Sequence, residues 1–422
     1  MPSYIPSTSP VFTRLIAPLV AAYKLSERQY HCTELTDLDF LEMGVVRVLS
    51  DSKTGRDFVQ RHADHGRKEV SVDLFFKAIK SARRLTNASS VNLALAPLMS
   101  ARCDDPFLAI KELDSFAIYA GDGHYHGAAA HDKKLASNRG EFRKYPTGHF
   151  FMLDLRTHHM RHIATAEQGG TRKSEHDMRV IKRTAVDTLR GGQPKGRKVI
   201  MAWDPAGIDF SYWQKVKSSY GLYFISREKQ NMSFTVVSER EFDVNAAENT
   251  GVISDEIVVP SGGGGKFRRV TYVDTTDGTV YTYITTEMTL PPWVIVLIYK
   301  HRWDIEKVFD EFKSKLYERK SWASSVTAKT AHAQFLCLVH NLMILLEDLI
   351  LRELGVENDK EADRKQTRKE SALKRGASFI ATALQRFTVR PLKFIRWLRN
   401  FTYCEAPWGH AIERLRRNFA IL

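Results

Sequence analysis

From Ser115 to Lys229 the chain alternates short hydrophobic runs with amphipathic ones, and their order reads β-β-β-α-β-α-β. Alternation of that kind points to the α/β class, with helices packed on a sheet. The first run, 116–120, is a buried strand that Gly121 and Gly123 break around a single Asp122. Residues 148–156 and 160–165 are two more strands, joined at Thr157–His159. Residues 176–190 read as an amphipathic helix stopped by Gly191-Gly192, and 197–207 as a hydrophobic strand whose end carries Asp204. A helix over 210–221, closed by Gly221, leads into a strand at 222–229. Asp beside Gly or Pro is most often a turn-former. Two acids at the ends of neighbouring strands would also lie close together, where sites in open α/β sheets gather.

A second stretch, YKHRWDIEKVFDEFK (299–313), reads as one helix, free of Gly and Pro. At about 100° per residue, Ile298, Ile305, Val308, Phe309, Phe312 and Leu316 share a core-facing stripe. Tyr299, Arg302, Glu306 and Lys313 share a second stripe beside it. The plain interpretation is an i,i+4 salt-bridge ladder, worth a few tenths of a kcal/mol. The alternative makes Glu306 a third carboxylate beside Asp122 and Asp204. Three carboxylates form an oxygen-rich pocket suited to Mg²⁺, and two such ions can activate a water or 3′-hydroxyl and stabilise the leaving oxygen of a phosphodiester. Arg302 and Lys313 would then face substrate phosphates.

Charge agrees with an anionic partner. With 63 Lys+Arg against 49 Asp+Glu the net charge is +14, which favours nucleic acid, then an anionic membrane, over a merely soluble basic protein. Cys32, Cys103, Cys337 and Cys404 form no C-x-x-C, which argues against a zinc ribbon or disulfide scaffold and suits a reducing compartment. The longest apolar run, 335–346, contains His340 and Asn341 and reads as a core helix. The patch at 15–22 lacks a basic n-region, so a cytoplasmic, nucleoid-associated protein is expected.

These residues resemble the DDE transposases of bacterial insertion sequences, in the group marked by Tyr-x2-Arg-x3-Glu-x6-Lys. Here that motif is Tyr299, Arg302, Glu306 and Lys313, with Trp303 after the Arg. YAGDGHYH, WDPAGIDFSYW and YFISREK resemble the group too, and the resemblance covers about residues 115–355. It implies an RNase H-like mixed sheet flanked by helices. Asp122 would lie on the first strand, Asp204 after the fourth and Glu306 on a later helix. The three would bind two Mg²⁺, with Mn²⁺ as substitute. It further implies that Tyr299, Arg302, Trp303, Lys313 and Arg227 contact double-stranded DNA at transposon ends and target. Arg302 and Lys313 would hold phosphates rather than pair with Glu306. A homodimer on DNA, nicking to a 3′-hydroxyl and strand transfer are expected. Pro205 departs from the Asp-Arg common at the second acid, and Asp209 is a fallback ligand. Two alternatives stay open: an RNase H-like endonuclease or resolvase without strand transfer, and a silent DNA-binding descendant.

The expected organisation is a helical region at 1–110, with helices over 36–49 and 72–85, which is either a DNA-binding domain or a helical domain with a solvated basic face. A catalytic core at 111–229 and 291–356 is interrupted by a β-rich insertion at 230–290, and a basic helical region follows at 357–422. Within the insertion, Asp277-Gly278 marks a hairpin turn. The 260–269 loop, ending in three cations, reads as a flexible hairpin tip or a DNA clamp. Pro291-Pro292 opens the next helix. The histidines at 124, 126, 131, 158, 159 and 162 match no zinc spacing, and structural or surface roles are expected for them.

Overall fold

The computed structural model describes residues 9–25, 34–65, 67–101, 105–136, 140–167, 175–316, 320–374, 379–384, 387 and 389–420. Cys32 and Cys103 lie outside them. Nine strands form one sheet: β1 (Phe116–His126), β2 (Thr147–Asp154), β3 (Met160–Thr165), β4 (Lys198–Trp203), β5 (Leu222–Arg227), β6 (Phe234–Glu239), β7 (Val252–Pro260), β8 (Phe267–Val273) and β9 (Val280–Thr285). Across the sheet they run β3-β2-β1-β4-β5-β9-β8-β7-β6. The first three are antiparallel, with Asp122 opposite Phe151 and His124 opposite His149. β4 and β5 then run parallel to β1, with Gly121 beside Trp203 and Ala202 beside Ile225. That arrangement of five strands is the RNase H-like core.

The two-residue side-chain period divides the sheet into two faces. Phe116, Ile118 and Ala120 of β1 join one apolar cluster, which also takes in the Trp303–Asp310 helix and the long Val326–Leu354 helix. Ala117 and Tyr119 join the other, under the Asp177–Arg183 and Phe210–Tyr220 helices. Parity therefore puts Asp122 on the side of the Trp303–Asp310 helix. The first cluster runs on from Val11 to Phe419, so the N- and C-terminal helices share a core with the sheet. Among the described residues, the Val326–Leu354 helix is long and apolar enough to cross a membrane. Its Phe335, Leu338, Val339 and Leu342 are instead fully buried against the rest of the chain.

Several expected elements are subdivided. The 36–49 helix forms over Asp37–Leu49 with a Thr36/Asp39 capping box. The 72–85 stretch stops at Ile79 because the Ser81 hydroxyl accepts from the Arg84 amide and caps a new helix, Ala82–Ala94. The 176–190 helix divides at Thr184, where the chain turns extended.

The four strands of the 230–290 segment lengthen the core sheet instead of forming a separate one. β9 pairs with β5 through Thr285–Ile225 and Tyr283–Arg227. The Asp277-Gly278 turn joins β8 to β9, with Gly278 at φ +73°. Of the three cations after the glycine loop, only Lys266 is exposed. Arg268 is fully buried and forks onto both Asp255 oxygens at 2.7 and 2.6 Å, while Arg269 pairs with Glu256 at 2.7 Å. The clamp interpretation loses two of its three charges to the sheet itself.

Candidate active site

β1 runs straight through both glycines, so Asp122 lies within a strand and not at a break. The glycines answer to packing. A Cβ on Gly121 would stand 2.0 Å from Trp203 Cζ3, and one on Gly123 3.1 Å from the Phe150 ring. Asp122 Oδ1 accepts the Gly123 amide at 2.7 Å. Burial pushes its carboxyl up to about 7; the Arg302 guanidinium and the Gly123 amide pull it down, while Asp204 and Glu306 push it higher. Asp122 thus lies within electrostatic range of carboxylates from two other elements.

Asp204 directly follows β4. Its Oδ1 accepts the Ala206 amide at 3.0 Å and caps a short 3₁₀ turn, Pro205–Gly207, in which Pro205 fills the first position. Asp209, the fallback, is engaged elsewhere. Its Oδ1 accepts the Tyr212 amide at 2.8 Å as a helix cap, and its Oδ2 meets Lys182 Nζ at 2.6 Å.

The expected single helix over 299–313 is not uniform. One helix ends at His301, Arg302 makes a tight junction with its amide bonded to Tyr299 O at 3.1 Å, and a second spans Trp303–Asp310. Glu311–Lys315 then widens to a π turn. Buried polar partners account for both irregularities. At the junction, His301 Nδ1 lies 2.9 Å from Asp304 Oδ2. At the π turn, the fully buried Glu311 carboxylate is gripped by Arg390 Nε and Nη2, each at 3.0 Å, and by His340 Nδ1 at 2.9 Å. The core stripe itself stands: Ile298, Ile305, Val308, Phe309, Phe312 and Leu316 are all buried.

Arg302 corrects an expectation. Its Nη1 donates to Asp122 Oδ2 at 3.2 Å and its Nη2 to Glu306 Oε1 at 2.8 Å, so it pairs with both carboxylates. Tyr299 packs beside it, with the guanidinium carbon 5.5 Å from the ring centroid. Burial raises the Tyr299 phenol, with Arg302 and the Arg227 backbone opposing and Asp204 reinforcing. Trp303 is 52% exposed, and Arg227 and Lys313 are exposed too. Asp122, Arg302, Glu306 and Tyr299 are thus drawn together, with Asp204 in electrostatic range. The carboxylate oxygens suit a hard divalent cation in kind. As they are arranged, no three His, Cys, Asp or Glu side chains among the described residues are placed to hold one ion.

The sequence reading missed a strap of late residues across this helix. Asp304 Oδ1 accepts the Phe387 amide at 3.2 Å, Lys307 Nζ donates to Phe387 O at 2.8 Å, and Lys315 Nζ to Arg390 O at 2.5 Å. A signal existed in His340, an imidazole inside an apolar run, which needs a buried partner. His124, His126, His149, His162 and His332 form a cluster behind the site. His124 stacks on Phe309 with centroids 4.5 Å apart, and His149 Nδ1 lies 3.2 Å from His162 Nε2. Burial holds His162 and His332 down to about 3.

Comparison with known proteins adds three findings. The family model described as "Transposase DDE domain" matches residues 110–342, more than half of the chain. "Putative transposase y4zB" of Sinorhizobium fredii (strain NBRC 101917 / NGR234) is 31% identical over 119 residues, a match spanning 27% of this chain and 33% of that relative. The cryo-EM structure of a piggyBac transposase synaptic complex with hairpin DNA overlays with a TM-score of 0.40 at 12% identity, covering 95% of this chain and 84% of the other.

Proposed function

Since the chain belongs to the DDE transposase family, we propose that it cuts DNA at the ends of a mobile element and joins the freed 3′-hydroxyls to target DNA. The observation that carries this reading is the meeting of Asp122, Arg302 and Glu306 within hydrogen-bonding distance, with Asp204 in electrostatic range. In this reading Asp122, Asp204 and Glu306 hold divalent ions of the kind the family generally uses, two Mg²⁺ or Mn²⁺. Bound there, such ions supply activation of the attacking oxygen and stabilisation of the leaving one.

The chain's own residues supply the rest. β1 and β4 fix two carboxylates on a rigid sheet, and the strap fixes the helix that carries the third. Lys313, Arg227 and Trp303 are exposed and available to a duplex; the cations would take backbone phosphates, and the indole an unpaired base. Tyr299, packed against Arg302, would orient that guanidinium toward phosphate. Synapsis of two ends would bring two copies together on DNA, in the cytoplasm at the nucleoid.

The test is cleavage and strand transfer on DNA bearing the terminal repeats that flank the coding sequence, with Mg²⁺, comparing wild type with Glu306→Gln and Asp204→Asn. Each variant is expected to lose at least about a hundredfold in rate, the scale of removing one preorganised electrostatic group. Robust activity in Glu306→Gln would remove Glu306 from the site. Cutting without joining would favour a nuclease.

A further inference from the structure

Resting on the reading of Asp122 and Glu306 as metal ligands, we propose that Arg302 is an exchangeable counter-ion that couples metal binding to DNA binding. It would neutralise the two carboxylates until a divalent cation takes their oxygens. The displaced guanidinium would then take a backbone phosphate.

Three observations support this exchange. First, the two terminal nitrogens of Arg302 occupy Asp122 Oδ2 and Glu306 Oε1, oxygens that a shared cation would need. Second, the arrangement leaves the carboxylates short of a ligand cage: among the described residues no three candidate ligands are placed to hold one ion. Third, the fork is incompletely used. Arg302 is only 8% exposed, yet its Nε has no hydrogen-bond acceptor. A buried donor without a partner is unfavourable, and one added acceptor at Nε would complete the fork. A phosphate beside the helix would offer the guanidinium two or three acceptors at once, the geometry that favours Arg over Lys.

The consequence is a linkage. Any anion that draws Arg302 away from the carboxylates removes a competitor of the metal, and any metal that takes the carboxylates frees Arg302 for an anion. Duplex and metal should each raise the affinity for the other by the same factor. An Arg that only positions the carboxylates predicts the opposite, because removing it would weaken metal binding.

The experiment titrates Mn²⁺ into full-length protein by electron paramagnetic resonance, with and without a duplex carrying the element's end. Wild type, Arg302→Gln and Glu306→Gln are compared, with circular dichroism to establish folding. Without DNA, Arg302→Gln is expected to bind Mn²⁺ roughly tenfold more tightly than wild type, within the usual range for coupled sites. Adding duplex should then raise its affinity less than it raises that of wild type. Equal or weaker Mn²⁺ binding in a folded Arg302→Gln overturns the exchange but leaves the metal reading intact, provided wild type binds and Glu306→Gln does not. Absence of Mn²⁺ binding to wild type with and without duplex overturns both. Should Arg302→Gln fail to fold, the Arg302 Nε–H resonance of wild type, assigned through Arg302→Lys, decides: it should shift on Mg²⁺ addition and again on adding duplex, and a resonance indifferent to Mg²⁺ refutes the exchange.

Discussion

Gly121→Ala is the sharpest test of how the acidic positions are held. The added methyl would stand 2.0 and 2.1 Å from Trp203 Cζ3 and Cε3, against the roughly 3.5–4.0 Å of a comfortable carbon contact. Trp203 is fully buried and cannot swing outward. Retreat is blocked on its other edge as well, because a Cβ on Gly207 would already lie 2.5 Å from Trp203 Cδ1. The indole is wedged between two glycines, so the strain must go into β1 or β4. Overpacking commonly costs about 1–3 kcal/mol and occasionally more, and the absence of an escape route puts this case at about 3 kcal/mol. Gly123→Ala, whose methyl meets Phe150 at 3.1 Å, should cost no more than about 1 kcal/mol on the same scale. Urea unfolding followed by tryptophan fluorescence compares the two. Adding Trp203→Leu to Gly121→Ala should recover part of the loss, a coupling that separate sites would not show. A Gly121→Ala midpoint equal to wild type, or no less stable than Gly123→Ala, would refute the wedge.

Two further outcomes follow from buried charge. Glu311→Gln leaves the buried Arg390 with only the Glu347 carboxylate, 3.2 Å away, so stability should fall by about 3 kcal/mol, the low end for breaking a buried pair, in urea titrations; a loss under 1 kcal/mol would mean the strap is ornamental. Burial holds His159 and His332 down to about 3 in the folded chain. Folded pKa values below the unfolded value of about 6.5 mean that the unfolded state takes up these protons first, so stability is lost as pH falls below about 6.5, by about 1.4 kcal/mol per unit for each proton. Asp122, raised to about 7, works in the reverse sense and offsets one of them. The urea midpoint should therefore drop between pH 6.5 and 5, and a flat profile would falsify the two buried neutral imidazoles.

What the sequence disclosed and what it hid divide by range. The strand and helix order was legible from local pattern, and so was the helix-closing role of Gly221; Asp209, read as a fallback ligand, caps that helix instead. The three acidic positions stood out because polar residues interrupt hydrophobic runs. Gly121 misled: nothing local distinguishes a glycine that breaks a strand from one that makes room for an indole 82 residues later. The attachment of the 230–290 strands to β5 was equally hidden, since strand texture names no partner edge. Arg302 sits four residues from Glu306 and was readable as a ladder, but its second bond crosses 180 residues to Asp122. The π turn reflects Arg390, 79 residues downstream of Glu311.

The strap also sets a timetable. Translation proceeds from the N-terminus at about 5–20 residues per second, so roughly 4–16 s separate the synthesis of Glu311 from that of Arg390. Through that interval the newborn helix bearing Glu306 lacks the guanidinium and the Phe387 backbone contacts that later secure it. A nascent chain can thus assemble its sheet, with Asp122 and Asp204 in position, well before its third carboxylate is locked. For a protein whose proposed work is breaking DNA, the delay leaves the helix of Glu306 unsecured until the residues 79 positions beyond Glu311 have been made.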